Sequence, residues 1–179
     1  MIISSSGCVL SKSGKKPVAE IVTSSSDAFS EHRSDEVRLA ILRSFITAAE
    51  SLRGLTANLH LHVNEHPEYR DSLDKLSSIV FDQLLFKTNE FSSIKKNPTP
   101  EQRDMLIKAY LLIVQIRIDI DAPNAEGETT QNRLAKRDIA ILSDLAGERN
   151  DLDIRSLKLD CPTVDKCLSH FKFVIDERG

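Results

Sequence analysis

Glycine is scarce in this sequence, with six in 179 residues and two of those within the first fourteen. An all-β fold built on tight turns uses glycine for its positive-φ positions, so the shortage points away from one. Long apolar runs are missing too. The longest, MLIKAYLLIVQI from Met105 to Ile116, is interrupted by Lys108 and Gln115. That is too short and too polar to span a bilayer, and it reads as the central element of a packed core. Cysteine is limited to Cys8, Cys161 and Cys167. An odd count with one member near the start gives no disulfide framework and points to a reducing compartment. Cys161 and Cys167, with five residues between them, also lack a zinc-ligand spacing. Neither charge sign dominates: 24 basic against 27 acidic residues leave a net charge of −3, no field to draw in nucleic acid or an anionic membrane. The lysine clusters, Lys95-Lys96 and Lys12 with Lys15 and Lys16, are short and have no interleaved aromatics, so no nucleic-acid platform is expected. There is no glycine-rich phosphate loop, no HExxH and no GxSxG, and no cofactor is implied.

Serine is what the opening does contain. Ten of the twenty serines lie within Met1–Ser34, beside a single aromatic residue, Phe29. Such a stretch buries too little apolar surface to offset the entropy of ordering it, so residues 1–33 read as a flexible, removable tail. No apolar stretch of signal-peptide length follows the start. Ile3, the lack of any acidic residue before Glu20 and the serine enrichment together resemble the export signal of bacterial type III secreted effectors. That resemblance implies an unfolded leader, secretion into a host cell, and a chaperone whose apolar grooves take Ile21, Val22 and Phe29. A plain serine-rich tail is the competing reading. An organelle transit peptide is another, although those favour arginine and none precedes Arg33.

From Ser34 the pattern is helical, giving one domain over residues 34–179. Ser34 suits an N-cap, with Asp35 and Glu36 where a helix dipole favours carboxylates. Val37, Ile41, Phe45, Ala48, Leu52, Leu55, Leu59 and Val63 then form one apolar stripe. A second helix from Pro67 carries Tyr69, Leu73, Leu76, Val80, Leu84, Phe91 and Ile94. Thr99-Pro100-Glu101-Gln102 is a capping box with proline at the first helical position, and the helix after it should be the most buried element. Following the loop Asp121–Thr130, a shorter helix from Thr130 carries Leu134, Ile141 and Leu145 and ends at Gly147. The stretch from Glu148 to Asp160 has no clear period. Pro162 then starts a last helix with Val164, Leu168, Phe171 and Ile175. The fold class expected is all-α: an antiparallel bundle of about four to five helices behind a disordered N-terminal tail.

Three clusters carry chemical possibilities. His62 and His66, four apart, would share a helix face and could hold a metal if a third ligand came from elsewhere, but Pro67 implies that the helix is ending there. The plainer reading is solvated polar positions, His60 among them. Cys167 and His170, three apart, would allow a thiolate–imidazole pair, with no orienting group nearby. Leu52-Arg53-Gly54-Leu55-Thr56 resembles the arginine-finger segment of bacterial effector GTPase-activating domains. By that resemblance Arg53 would stabilise charge on a transferring γ-phosphoryl group. The sequence departs from that pattern twice: Glu50 stands where the family has glycine, and Thr56 follows Arg53 by three residues instead of four. Taken together, the reading is a secreted effector-like protein that binds a partner, a host protein or a secretion chaperone, through its helical bundle. An arginine-finger GTPase activator and a non-secreted cytoplasmic adaptor or secretion chaperone are the alternatives. Oligomeric state is not legible.

Overall fold

A computed structural model describes residues 18–60, 66, 68–78, 81, 94–121, 129–147, 149 and 151–178. Within these, the side chains of 18–33, 58–60, 70, 73, 74, 76, 77 and 178 lie outside the description. Among the described residues there are five α-helices and no strand: α1 (Val18–His60), α2 (Glu68–Ser78), α3 (Pro100–Ile120), α4 (Thr130–Ala146) and α5 (Val164–Arg178), with a 3-10 turn at Arg155–Leu157. The class is all-α, as the periodicity implies. The chain divides between Glu36 and Val37 into two units.

In the first unit the backbone is helical from Val18, not from Ser34. Ser34 lies inside a helix and is not its cap. The reason is an absence of breakers: no proline or glycine occurs between Val18 and Arg53, and serine disfavours a helix only mildly.

In the second unit α1 buries Leu42, Phe45, Ala49, Leu52 and Thr56. That is a three-four-three-four step, the seam of a helix packed nearly along its neighbours. Of the expected stripe, Phe45 and Leu52 lie in this seam and Ile41 and Ala48 are half-buried, while Val37 and Leu55 fall outside it. Val37 and Leu55 are each 51% exposed. Thr56, whose hydroxyl lies 3.0 Å from the Arg53 carbonyl and 3.5 Å from Asp119 Oδ2, continues the seam as a polar member.

Helix α3 begins at the expected capping box. Thr99 Oγ1 accepts from the Gln102 amide at 3.2 Å, and Gln102 Oε1 accepts from the Thr99 amide at 3.1 Å. Every residue from Ala109 to Ile118 is buried, so α3 is the axis of the core. Each fully buried Leu, Ile or Val there contributes roughly 1.5–3 kcal/mol relative to exposure. Leu106, Ile113 and Ile116 are fully buried.

Side-chain pairs fix the helix directions. Late residues of α3 meet early ones of α4, with Asp121 bonded to Thr129 at 2.6 Å and Arg117 to Gln131 at 3.0 Å, while Asp104 near the start of α3 meets Arg149 beyond α4 at 2.9 Å. The two helices are antiparallel. Arg43 of α1 reaches Glu101 at the start of α3, and Thr56 reaches Asp119 near its end, so α1 and α3 run parallel. That is the relation an up-down-up order gives to its first and third members.

Helix α4 is capped by Thr129, whose hydroxyl accepts from the Asn132 amide at 3.0 Å. It ends at Gly147, which sits at φ 50° as a C-terminal glycine should. Its buried face is Ala135, Asp138, Ile139, Leu142, Leu145 and Ala146, whereas Leu134 and Ile141 are only half-buried. The apolar spacing found Leu145 but not the rest of this face, because a carboxylate lies in the middle of it. Asp138 is 0% exposed and takes Arg117 Nε at 2.7 Å on one oxygen and Arg137 Nη2 at 2.9 Å on the other. Arg117, itself 2% exposed, lies over the Phe81 ring at 5.1 Å.

The cysteine expectation is corrected. Cys161 and Cys167 form a disulfide, with Cα atoms 5.1 Å apart, across the turn that leads into α5. That separation falls within the range a disulfide requires. Val164, Phe171 and Ile175 are buried along α5, with Leu168 half-buried beside them.

Candidate functional site

One face of α1 forms the floor of a groove of about 380 Å³. Glu50, Arg53, Gly54 and Ala57 line it, at spacings that place all four on the same side of a helix. Gly54 and Ala57 keep the floor low. A Cβ built on Gly54 would meet nothing within 4 Å, so this glycine is not required by packing; it leaves space.

The opposite wall is the 3-10 turn, contributing Ser156, Leu157 and Lys158. Ile154 and Leu157 are buried and anchor it from below. The Leu157 amide donates to the Ile154 carbonyl at 3.0 Å, and the Lys158 amide to Arg155 at 3.1 Å. Asp153 braces the turn from outside, accepting from the Arg155 amide at 3.1 Å, from Nε at 2.9 Å and from Nη2 at 2.7 Å. The Arg155 side-chain bonds, then its backbone bond, hold the Asp153 carboxyl well below the usual carboxylate range. Lys158 closes the turn at φ 52°, ψ 38°, the one non-glycine residue at positive φ among the described residues. A left-handed lysine costs roughly 1 kcal/mol relative to glycine there.

Arg53 joins the two walls. Its Nη1 donates to the Leu157 carbonyl at 3.0 Å, across 104 positions of sequence. Nε is buried and has no acceptor among the described residues. An orphaned buried donor costs on the order of 1–3 kcal/mol. Glu50 and Lys158 are exposed, and among the described residues neither enters an ion pair. Two cations, one carboxylate and a serine hydroxyl thus line one concavity without neutralising each other.

The other residues singled out by sequence do not assemble here. His62 lies outside the described residues. His66 Nδ1 lies 3.0 Å from Glu68 Oε1, and its ring stacks at 5.0 Å on Tyr69, an exposed arrangement at the start of α2. Among the described residues no group of three His, Cys, Asp or Glu is placed to hold a metal. The Cys167–His170 pair is overturned, because Cys167 is bonded to Cys161 and has no thiol to ionise. Thr56 is fully buried in the α1–α3 seam and does not line the groove. The groove wall at Ser156–Lys158 was not legible. Its stretch has no helical or strand period, and its one local signal is the Asp153–Arg155 spacing.

Among the described residues no helix is long and apolar enough to cross a membrane. Comparison with protein-family models, curated proteins and solved structures finds no match.

Proposed function

We propose that this chain is an exported effector-like protein whose helical bundle binds a partner protein through the groove between α1 and the Arg155–Leu157 turn. Residues 1–33 act as the export leader, and the partner is a host protein. The observation that carries the binding part is the state of Arg53. An arginine finger has to reach out of its own domain to a phosphoryl group on another protein. Arg53 instead donates to the Leu157 carbonyl at 3.0 Å, which makes it a fixed part of a groove wall. Glu50 beside it would oppose a nucleotide's phosphates. For the export part, the composition of Met1–Ser34 is the support.

A photo-crosslinking amino acid at Ala57, inside the groove, tests the binding reading against the same probe at Asp144, exposed on α4. The Ala57 probe should give one discrete adduct in a target-cell extract, and the Asp144 probe should not. Identical patterns from both positions would remove the groove from the account. A reporter fused to residues 1–33 should leave bacteria that have a type III apparatus and stay inside those that lack it. GTP hydrolysis by small GTPases, stimulated by wild type but not by Arg53→Ala, would replace this reading with the arginine-finger one.

A further inference from the structure

Two of the four large apolar side chains exposed among the described residues, Val37 and Leu55, belong to α1. They are eighteen residues apart, five full helical turns, so they stand on the same side of the helix. Ala40, Ser44, Thr47 and Ser51 recur between them at three- and four-residue steps, and all four are exposed and uncharged. Thr47 Oγ1 donates to the Arg43 carbonyl at 3.1 Å, and Ser51 Oγ donates to the Thr47 carbonyl at 3.0 Å. Both donors are spent inside the helix, so covering this face would not strand either of them. The face looks away from the seam of Leu42, Phe45, Ala49 and Leu52 that packs into the core. Its two long edges differ. One is apolar, with half-buried Ala48 joining Val37 and Leu55, and the other carries the exposed pair Arg43 and Glu50.

Independently of the partner reading above, we propose that this face of α1 docks a second copy of the chain, its own α1 running antiparallel about a two-fold axis near Thr47. Charge selects both the occupant and the direction. Arg43 lies four residues before Thr47 and Glu50 three after it. In the antiparallel pair Arg43 of each copy therefore comes level with Glu50 of the other to within one residue, about 1.5 Å along the axis. On the opposite edge Val37, ten before Thr47, meets Leu55, eight after it, with an offset of about 3 Å. A two-fold contact demands this self-complementarity, because one patch has to fit itself. A parallel copy would instead lay the charged edge of each helix against the apolar edge of the other, leaving Arg43 and Glu50 unmatched. Arg43 already reaches Glu101 at 3.1 Å, with the two side chains 62% and 61% exposed. So wet an ion pair holds the arginine weakly, and it can turn toward a second carboxylate at little cost. Glu50 acts here from the edge that this face shares with the groove. From Val37 to Leu55 the face is about 27 Å long. One helix face of that length buries less than the ~1,200 Å² in total at which stable interfaces begin, so the dimer is weak and forms with concentration.

Sedimentation velocity of the intact protein, over roughly a hundredfold range of concentration reaching several hundred micromolar, tests the proposal. The native chain should pass from monomer to dimer within that range. Arg43→Glu sets two carboxylates against each other and Glu50→Arg sets two guanidiniums, so each variant alone should dimerise at least tenfold more weakly. Mixed in equal amounts, the two variants should pair with each other at native affinity or better, because every contact on that edge is again between opposite charges. Helical circular dichroism and melting temperature on the same samples show that both variants are folded. A covalent test needs no charge change. In a Cys8→Ser background, Thr47→Cys lies at the axis and should link to its own copy under mild oxidation, whereas Asp144→Cys, exposed on α4, should not. A native chain that stays monomeric at the highest concentration would overturn the proposal. So would a dimer indifferent to both charge reversals, a mixture that pairs no better than its components, or equal linkage from Thr47→Cys and Asp144→Cys.

Discussion

Replacing Asp138 by alanine should unfold the bundle at a much lower temperature. Asp138 is 0% exposed and its partner Arg117 is 2% exposed, joined at 2.7 Å. Removing the carboxylate leaves a guanidinium in the core with, among the described residues, only Gln131 Oε1 at 3.0 Å and the Phe81 ring as counterparts. Nη2 of Arg117 already has no acceptor among the described residues. Breaking a buried pair from one side costs about 3–5 kcal/mol, because the remaining charge is desolvated without compensation. In a chain of this size each kcal/mol moves the melting temperature by about 2–4 °C, so a drop of roughly 6–20 °C is expected. Arg137, half-exposed, can turn to water and should contribute little. Thermal and urea denaturation followed by circular dichroism measure the loss. The double replacement Arg117→Met with Asp138→Leu is the control. It removes both charges and fills the volume, so it should recover most of the stability or exceed the native value. If Asp138→Ala costs less than about 0.5 kcal/mol, the range of surface changes, the pair is not buried and the packing of α3 on α4 is wrong.

Three further perturbations follow from the same packing. Burial pushes the Tyr110 phenol well above its ordinary value, with the Asp138 charge adding to it. The native state therefore holds that proton more tightly than the unfolded chain. The stabilisation is complete below the ordinary tyrosine range and is lost as pH rises through it and beyond. Tyr110→Phe should flatten this alkaline loss in urea titrations near pH 10–11, without lowering neutral stability, since the hydroxyl has no partner among the described residues; an unchanged alkaline slope would contradict the burial. Reducing the Cys161–Cys167 bond should destabilise the protein by about 2 kcal/mol from loop entropy alone, and thiol counting under denaturing, non-reducing conditions should find only Cys8; three free thiols would refute the pairing. Thr99→Ala should remove the α3 cap at a cost of about 1 kcal/mol, visible in the urea midpoint with an unchanged slope, and a neutral result would mean that the capping box is not formed.

Which parts of this structure the sequence discloses depends on whether the signal is local. The capping box at Thr99–Gln102 is legible because its residues sit within one turn, and the burial of Leu106, Ile113 and Ile116 follows from an apolar run broken only at Lys108 and Gln115. The α1 seam is legible at Phe45 and Leu52 but not at Thr56, a polar member, and apolar identity wrongly adds Val37 and Leu55 to it. The α4 face was hidden by Asp138, whose burial depends on Arg117 in another helix. Arg53 was visible as a candidate, but its role depends on Leu157, more than a hundred residues later. Nothing in a stretch without periodicity announces that its carbonyl will meet that arginine. The disulfide was missed for a similar reason, since only the turn through Pro162 brings Cys161 and Cys167 within bonding range.

The groove itself is tested most directly by filling it. Gly54 faces open space, so Gly54→Leu adds a side chain to the floor without a clash and gains about 0.8 kcal/mol of helix propensity. Partner adducts should then be measured from a photo-crosslinker at Ser156, on the opposite wall, with melting temperature recorded on the same samples. The account predicts that Gly54→Leu melts at the native temperature or above it and loses the adduct. An adduct formed at native yield by a stably folded Gly54→Leu protein would contradict it.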